Sequence, residues 1–574
     1  MKKIIVSLTL LTFCIVATAN PIDVKTAART ARKILSANQV RNVDVANVEV
    51  ESKVRDRISD ARQTDSPAYF AFNAENNNGF VIISGDDQMP PIVGYSETGS
   101  IPSDGEMPDA LAGFLNMYAE YVQAVRNGKA EAPSHAKGDI TGDVVVAPLL
   151  SCEWDQDSPY NYYCPSSCPV GCVATAMAQI MYYYKYPNQP TGKISYNYGN
   201  GVLSVDYSES YYDWSILKDS YGMMEYKNAS GKAVAKLSYD CGVSVYMAYS
   251  EGGSGSTIVE AYNAFFTNFG YNASAMRYFI RECTDTQEEW NRILFKELDS
   301  KRPVLYAGVS STGGGRDSGG HAFVIDGYDS NYMVHVNWGW NGSYNGYFDV
   351  TVLDPARYTF SESQEMIVGI VPDRDGTHNQ RKQFAMYMRE PLSTNAEQVP
   401  VTKSFTMKPG GIFNHSPYSS GFNLAIAVYD LNGNQLKVIS EKSDDYYMSL
   451  QPNYGYSQQY TPEITCNWSD ITNEGTYILR LVSQESGFDD YVLPYTVGGN
   501  ANNAIFVKLS GGRLYFNQIP TDIKQLTGDP DIVRTEYYSL TGQVITDTSN
   551  ANGIIIEKIS YSDGSMKTTK RLNK

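Results

Sequence analysis

Three periodicities divide the chain. Leu111, Phe114, Leu115, Tyr118, Val122 and Val125 recur every three to four positions, predicting an amphipathic helix opened by Pro108 and Asp109 and closed by Asn127-Gly128. Ahead of it, apolar runs at 69–72 and 79–85 flank Asn76-Asn77-Asn78-Gly79, a β-hairpin pattern, and 26–36 reads as a short basic helix. Helical spacing returns after Cys172 and at 233–241, 257–269 and 286–300; strand patterns follow at 304–309, 321–326 and 333–338. Helices first and strands second within one stretch predict an α+β arrangement with the helix after Cys172 against the strands. Beyond Pro372 the pattern becomes all-β. Runs at 424–429 and 436–439 flank Leu431-Asn432-Gly433-Asn434, and further strands at 477–482 and 491–497 give the spacing of an immunoglobulin-like sandwich.

The segments between these blocks set expected boundaries. Lys2-Lys3, the apolar stretch 4–16 and Ala17-Thr18-Ala19 predict a secretory leader over 1–19. No other run approaches membrane-spanning length, so the expectation is an exported chain without a transmembrane segment. The stretch 128–147 is polar, rich in Lys, Ala and Gly, and aperiodic, which predicts an exposed linker of the kind proteases cut, with Lys137-Gly138 as a candidate position. The expected divisions are 1–19, 20–147, 148–372, 373–515 and a small β module over 516–574.

Charge and cysteine content narrow the function. The formal charge is −17, from 63 acidic and 46 basic residues, with no basic patch, which argues against a nucleic-acid partner. Without the leader, seven cysteines remain, at 152, 164, 168, 172, 241, 283 and 466. An odd number in an exported chain predicts one reactive thiol among possible disulfides. Cys164-x3-Cys168-x3-Cys172 departs from C-x2-C spacing and has no histidine at zinc-site distance, so no metal is expected.

Cys172 is the thiol with chemistry around it. Pro169-Val170-Gly171 turns directly into an Ala/Met-rich helical run, putting the sulfur at a helix N-terminus, where unpaired N–H groups and the dipole favour an anion. A base follows 149 residues later, His321 in Gly319-Gly320-His321-Ala322-Phe323-Val324-Ile325-Asp326-Gly327. A hairpin centred on Ser330 sets Asn337 diagonal to His321, close enough for an amide oxygen to fix the imidazole tautomer, while Trp338 and Trp340 shield that bond from water. The Gly-rich run 313–320, ending at Gly320, leaves backbone room for a substrate. Taken singly, each feature reads as easily as core packing; in this order within one exported chain they read as a nucleophile with its base.

The segments 171–181 with Tyr186-Pro187, 320–327 and 335–340 are closely similar to the streptopain family of papain-like cysteine proteases, a resemblance covering roughly 20–372. The resemblance implies an endopeptidase zymogen needing no cofactor, with 20–147 as an inhibitory propeptide whose 79–99 stretch looks like that of the group. Carried over residue by residue, Cys172 is the nucleophile, His321 the general base and acid, Asn337 its orienter and Trp338 the ring packed over the pair. Gln156 matches the oxyanion-hole glutamine. The loop around Ser254 resembles a shorter version of the family's substrate-binding loop, implying a contact there alongside Gly320. Cys164 and Cys168 depart from the family pattern and raise a local disulfide as an expectation. The implied partners are protein substrates and the chain's own propeptide; a surface ligand for the C-terminal β modules stays open. The rival readings are a papain-like cell-wall amidase and a non-catalytic surface adhesin.

Overall fold

The computed structural model describes residues 21–37, 46–48, 66–74, 78–101, 109–130, 132, 143–199, 201–281, 287–309, 320–349, 364–378, 380–440, 448–452, 454–496 and 502–517, together with strands 532–538, 544–545, 553–561 and 566–573. The expected leader, Lys137-Gly138, Cys283 and the glycines of 313–319 lie outside the described residues. The chain forms two compact units, one of Met1–Pro148 with Gly327–Phe360, the other of Leu149–Asp326 with Ser361–Lys574.

In the smaller unit an antiparallel sheet is built on the predicted hairpin. Strands β1 (Ala46–Val48), β2 (Tyr69–Asn73), β3 (Phe80–Ser84) and β4 (Ile92–Ser96) pair in sequence. β4 then pairs with β12 (Gly346–Phe348), and β12 with β11 (Val334–Asn337), so the N-terminal strands and the 334–348 stretch share one sheet. Helix α1 (Val24–Ala37) buries Ala27, Ala31 and Ile34 against Phe72, Val81 and Ile83. Helix α2 (Asp109–Arg126) buries all six apolar positions that defined it in the sequence. Its last residue, Arg126, reaches the Asp86 carboxylate at 2.9 Å and three backbone carbonyls, fixing the helix C-terminus.

Two expectations change here. The aperiodic stretch 128–147 contains a strand, β5 (Val144–Val146), paired to the end of β10 (Gly320–Asp329) through Tyr328 and Val146. Three consecutive valines are too short a run to show alternation. The turn after β10 centres on Asn331 rather than Ser330, because Asp329 N–H donates to the Met333 carbonyl at 3.0 Å. The Asp329 carboxylate organises that turn, accepting from the N–H groups of Asn331 and Met333 and from the Tyr95 hydroxyl, each at 2.9 Å. Burial raises the Asp329 carboxyl above its ordinary range despite these donors.

The larger unit places helices α3 (Cys172–Tyr184), α4 (Ala229–Ser244), α5 (Ile258–Thr267) and α6 (Gln287–Asp299) beside an antiparallel sheet ordered β10, β9 (Val304–Val309), β13 (Gln364–Val368), β8 (Arg277–Ile280). Asn228 caps α4 by accepting from Gly231 N–H at 2.8 Å, and Thr257 caps α5. A hairpin of β6 (Lys193–Tyr198) and β7 (Gly201–Asp206) lies between α3 and α4 in sequence. From 384 onward the described strands form a seven-stranded and a four-stranded sheet that enclose one core, with Phe422, Ile426, Leu479 and Val507 from one packing among Met388 and Ile412 from the other. The expected strand at 491–497 is reduced to Tyr495–Thr496. A last four-stranded sheet runs through 532–573. Among the described residues, Cys164 and Cys168 are both buried thiols and do not form the local disulfide that their departure from the family pattern raised.

Candidate active site

The turn before Cys172 is set by one glycine. Gly171 has φ 93° and ψ 137°, a conformation that L side chains rarely adopt, and its carbonyl starts α3 by accepting from Thr175 N–H at 3.0 Å. Residues 173–182 are buried while Cys172 itself is partly exposed, so the helix is anchored and its first side chain faces outward. The Cys172 sulfur accepts from the Ala322 N–H at 3.4 Å. That contact brings the N-terminus of α3 against β10 one residue after His321.

His321 is partly exposed and pairs across the ladder with Gly308. Directly opposed residues share a face. Among the described residues, a Cβ added at Gly308 would meet nothing within 4 Å. Sequence reasoning missed Gly308; the available signal was a glycine inside a Val-rich strand. Gly320 opens β10 opposite Val309.

Gln156 is bound to the nucleophile's turn through its backbone. Its carbonyl accepts from Val170 N–H at 2.9 Å, and its own N–H donates to the Asp155 carboxylate at 2.7 Å. Burial raises the Asp155 carboxyl, with the Gln156 N–H opposing that shift. The segment ahead is anchored twice: Trp154 Nε1 donates to the Lys218 carbonyl at 2.9 Å, and Leu150 N–H to the Asp326 carboxylate of β10 at 2.8 Å. Gln156 itself is left partly exposed near the head of α3.

Ser254 comes to the same turn through its backbone. A Cβ built on Gly171 would lie 3.0 Å from the Ser254 carbonyl oxygen, and 2.6 and 2.7 Å from the Met247 thioether. The Ser254 hydroxyl accepts from Ser250 N–H within its own loop at 3.4 Å. Within the larger unit Cys172, the start of β10, Gln156 and the Ser254 loop therefore gather around one turn.

Asn337 and Trp338 belong to the smaller unit, both 2% exposed. Asn337 Oδ1 accepts from Gly339 N–H at 3.1 Å; Trp338 Nε1 donates to the Tyr344 carbonyl at 3.0 Å, and its ring meets Phe348 edge-on at 5.1 Å. Both are held in fixed orientations. Among the described residues, Asp373, Asp375 and His378 bring ligand-type atoms within 4.8 Å of one another. The His378 imidazole already contacts the Asp373 carboxylate at 3.2 Å.

Residues 154–348 match the family model described as the Peptidase C10 family, and residues 19–122 match one described as Spi protease inhibitor. Among curated proteins, the chain is 32% identical over 350 residues to streptopain of Streptococcus pyogenes, covering 55% of this chain and 84% of that protein. It is 31% identical over 402 residues to the thiol protease/hemagglutinin PrtT of Porphyromonas gingivalis, covering 65% of this chain and 44% of that protein, so the match spans less than half of PrtT. Among solved structures, a fragment of Prevotella intermedia prointerpain A aligns with 33% identity and a TM-score of 0.47, covering 55% of this chain and 98% of that one.

Proposed function

The chain belongs to the Peptidase C10 family and is a cysteine-type endopeptidase; from that premise we propose that it is an exported zymogen whose Cys172 and His321 cleave extracellular proteins through an acyl-enzyme. The observation that carries this reading is the Ala322 N–H at 3.4 Å from the Cys172 sulfur, which sets the helix-borne thiol beside the residue after the imidazole.

In this mechanism the Cys172 thiolate attacks the scissile carbonyl carbon, and the carbonyl π electrons move onto oxygen. The Gln156 carboxamide and the Cys172 N–H donate to that oxyanion. A neutral amide suits the task because it adds no charge beside the thiolate and imidazolium; losing one such donor costs roughly 10²–10³ in rate. His321, protonated, gives its proton to the leaving amine as the C–N bond breaks, leaving a thioester. It then takes a proton from water as the hydroxide attacks, and the acid leaves with the thiolate restored. The Ser254 and Gly320 backbones flank the bound chain.

The N-terminal segment acts as the inhibitor in this proposal. What supports it is the inhibitor-model match over 19–122, together with the pairing of β4 to β12. Tyr95 stacks on Tyr347 at 5.1 Å and donates to Asp329, so the segment grips the stretch that carries Asn337 and Trp338. Cutting in 128–147 frees the enzyme. Purified full-length protein is expected to process itself and then digest casein, and Cys172→Ala to do neither; processing by that variant would reject the proposal. Release of peptidoglycan fragments without protein digestion would favour the amidase alternative.

A further inference from the structure

Helix α5 has two sides with different partners. Ile258, Ala261, Ala264 and Phe265 are buried in the core that also holds α3, whereas Val259, Glu260, Asn263 and Phe266 are only partly covered. The β region from 384 onward meets the helix. The Tyr418 hydroxyl donates to Asn263 Oδ1, and the Phe384 ring, packed against the core of α3 and α5, lies 6.0 Å from Tyr418 and 6.2 Å from Tyr262. Phe279 of β8 meets Tyr495 edge-on at 6.1 Å, a second join between the same two regions. Arg381 fixes the rings of the first. Its guanidinium lies 5.0 Å from the Phe384 ring and 5.7 Å from the Tyr418 ring, and it pairs with the buried Glu485 carboxylate through two bonds of 2.8 and 2.9 Å. The connection is laid down as well: Asn272 N–H donates to the Val371 carbonyl at 2.9 Å, Asp373 N–H to the Gly270 carbonyl at 3.0 Å and Ala273 N–H to the His378 carbonyl at 2.9 Å, just beyond the end of α5.

The other end of α5 leads to the candidate active site. Thr257 caps the helix, and the residues before it are tied to the chain leaving α4. Ser256 Oγ donates to the Val245 carbonyl at 2.5 Å, and Ala248 and Gly255 exchange N–H···O bonds of 3.0 and 3.2 Å. Those bonds place Met247 and the Ser254 carbonyl, the groups that a Cβ on Gly171 would meet first. From Tyr418 to the nucleophile's turn, the path is therefore a hydrogen bond, one helix, a loop closed by backbone bonds, and the close approach at Gly171. The helix in that path has ten residues. Isolated helices shorter than ~12–15 residues are marginal in water, so α5 sits where its packing puts it. The β region supplies part of that packing.

We propose that the β region docked on α5 is a buttress of the peptidase, and that Tyr418, Phe384 and Asn263 are positioning residues for the Ser254 loop. The inference rests on the endopeptidase reading above, in which the Ser254 backbone flanks the bound chain. A displaced α5 carries Thr257 and the loop with it, so substrate binding suffers first. The thiol and imidazole sit on α3 and β10, which meet each other directly through the Cys172 sulfur and the Ala322 N–H. Loosening the dock therefore raises KM more than it lowers kcat.

The test compares enzyme matured from the full chain with Tyr418→Phe, Phe384→Ala and the double variant. Tyr429→Phe is the control, because it removes a hydroxyl of the same kind that donates to Gln435 at 2.8 Å within the β region. Rates on a short, unextended fluorogenic peptide are normalised by the fraction of Cys172 alkylated by iodoacetamide, so partial unfolding alone changes nothing. Backbone hydrogen exchange is read over 245–257. Each single variant is expected to raise KM about threefold and the double variant about tenfold, the scale of one hydrogen bond and one ring contact, with kcat changed less. Exchange at Ala248 and Gly255 should quicken in step, and Tyr429→Phe should alter neither readout. Unchanged KM and unchanged exchange in the double variant overturn the buttress, and so does an equal response from Tyr429→Phe. Cleavage of no peptide by wild type would remove the endopeptidase reading instead, and exchange over 245–257 would then decide the buttress alone.

Discussion

Gly171→Ala offers the sharpest test of how the fold aims its nucleophile. At φ 93° and ψ 137° an alanine is strained by about 1–3 kcal/mol wherever space allows it. Space does not allow it: the new methyl carbon would lie 2.6 and 2.7 Å from Met247 Cε and Sδ and 3.0 Å from the Ser254 carbonyl. The thioether end can swing away, but the Ser254 backbone is held in its loop by the Ala248–Gly255 bridge. The cheaper relief is a shift of the 169–171 turn, which carries the Cys172 sulfur with it. Misplacement by about 1 Å can cost on the order of 10² in rate. The variant is therefore expected to lose about 1–3 kcal/mol in urea unfolding and about a hundredfold in kcat/KM on an unextended peptide. Gly255→Ala, in the same loop but with nothing within 4 Å of its added carbon, is the control and is expected to lose less than threefold. Gly171→Ala activity within threefold of wild type would refute the reasoning, because the turn would then be shown not to position the thiol.

Other consequences are equally specific. Gln156→Ala is expected to lower kcat by roughly 10²–10³ with little change in melting temperature, because the fold uses its carbonyl whereas the proposed oxyanion contact uses its amide; a comparable loss from Gln156→Glu alongside unchanged KM would agree. Arg381→Met leaves the Glu485 carboxylate buried with only the Ser420 hydroxyl and the Phe384 N–H, and is expected to destabilise the all-β region by about 3–5 kcal/mol, read by hydrogen exchange in 420–429 and 475–485. His415 is buried, neither ring nitrogen has a partner, and burial with the nearby Arg389 charge lowers its pKa to about 4. A depressed histidine pKa favours the neutral ring in the fold, so its contribution is present above the unfolded pKa of about 6.5 and lost as pH falls through about 4. Exchange protection in 405–416 should fall by up to about 3 kcal/mol across that window, and His415→Phe should flatten the slope.

Local pattern made much of this molecule legible. The six apolar residues of α2 face one way because a single period of 3.6 can bury them, and each of the six is buried. The head of α3 was visible because Pro-Val-Gly before an Ala-rich run is a turn followed by a helix. What escaped the sequence depends on partners far along the chain. β4 meets β12 some 250 positions later, and no local spacing encodes that ladder. Arg381 and Glu485 are 104 residues apart and look like ordinary surface charges in sequence. The hairpin after β10 was misplaced by one residue because its register is set by the Asp329 side chain, not by strand alternation. That the Ser254 carbonyl would sit 3.0 Å from a Cβ on Gly171 was likewise illegible, because 83 positions of chain separate the two.

The central claim is that one sulfur among the cysteines is kept reactive by His321. Brief treatment of matured enzyme with iodoacetamide near neutral pH, followed by peptide mass mapping, tests it directly. Cys152, Cys164, Cys168, Cys241 and Cys466 are buried, and burial raises the Cys164 and Cys466 thiols to about 12 and the Cys152 thiol well above its ordinary range. The account predicts that Cys172 is labelled first, and that His321→Ala slows its labelling at least a hundredfold while the protein stays folded. Labelling of another cysteine ahead of Cys172, or an unchanged Cys172 rate without the imidazole, would contradict it.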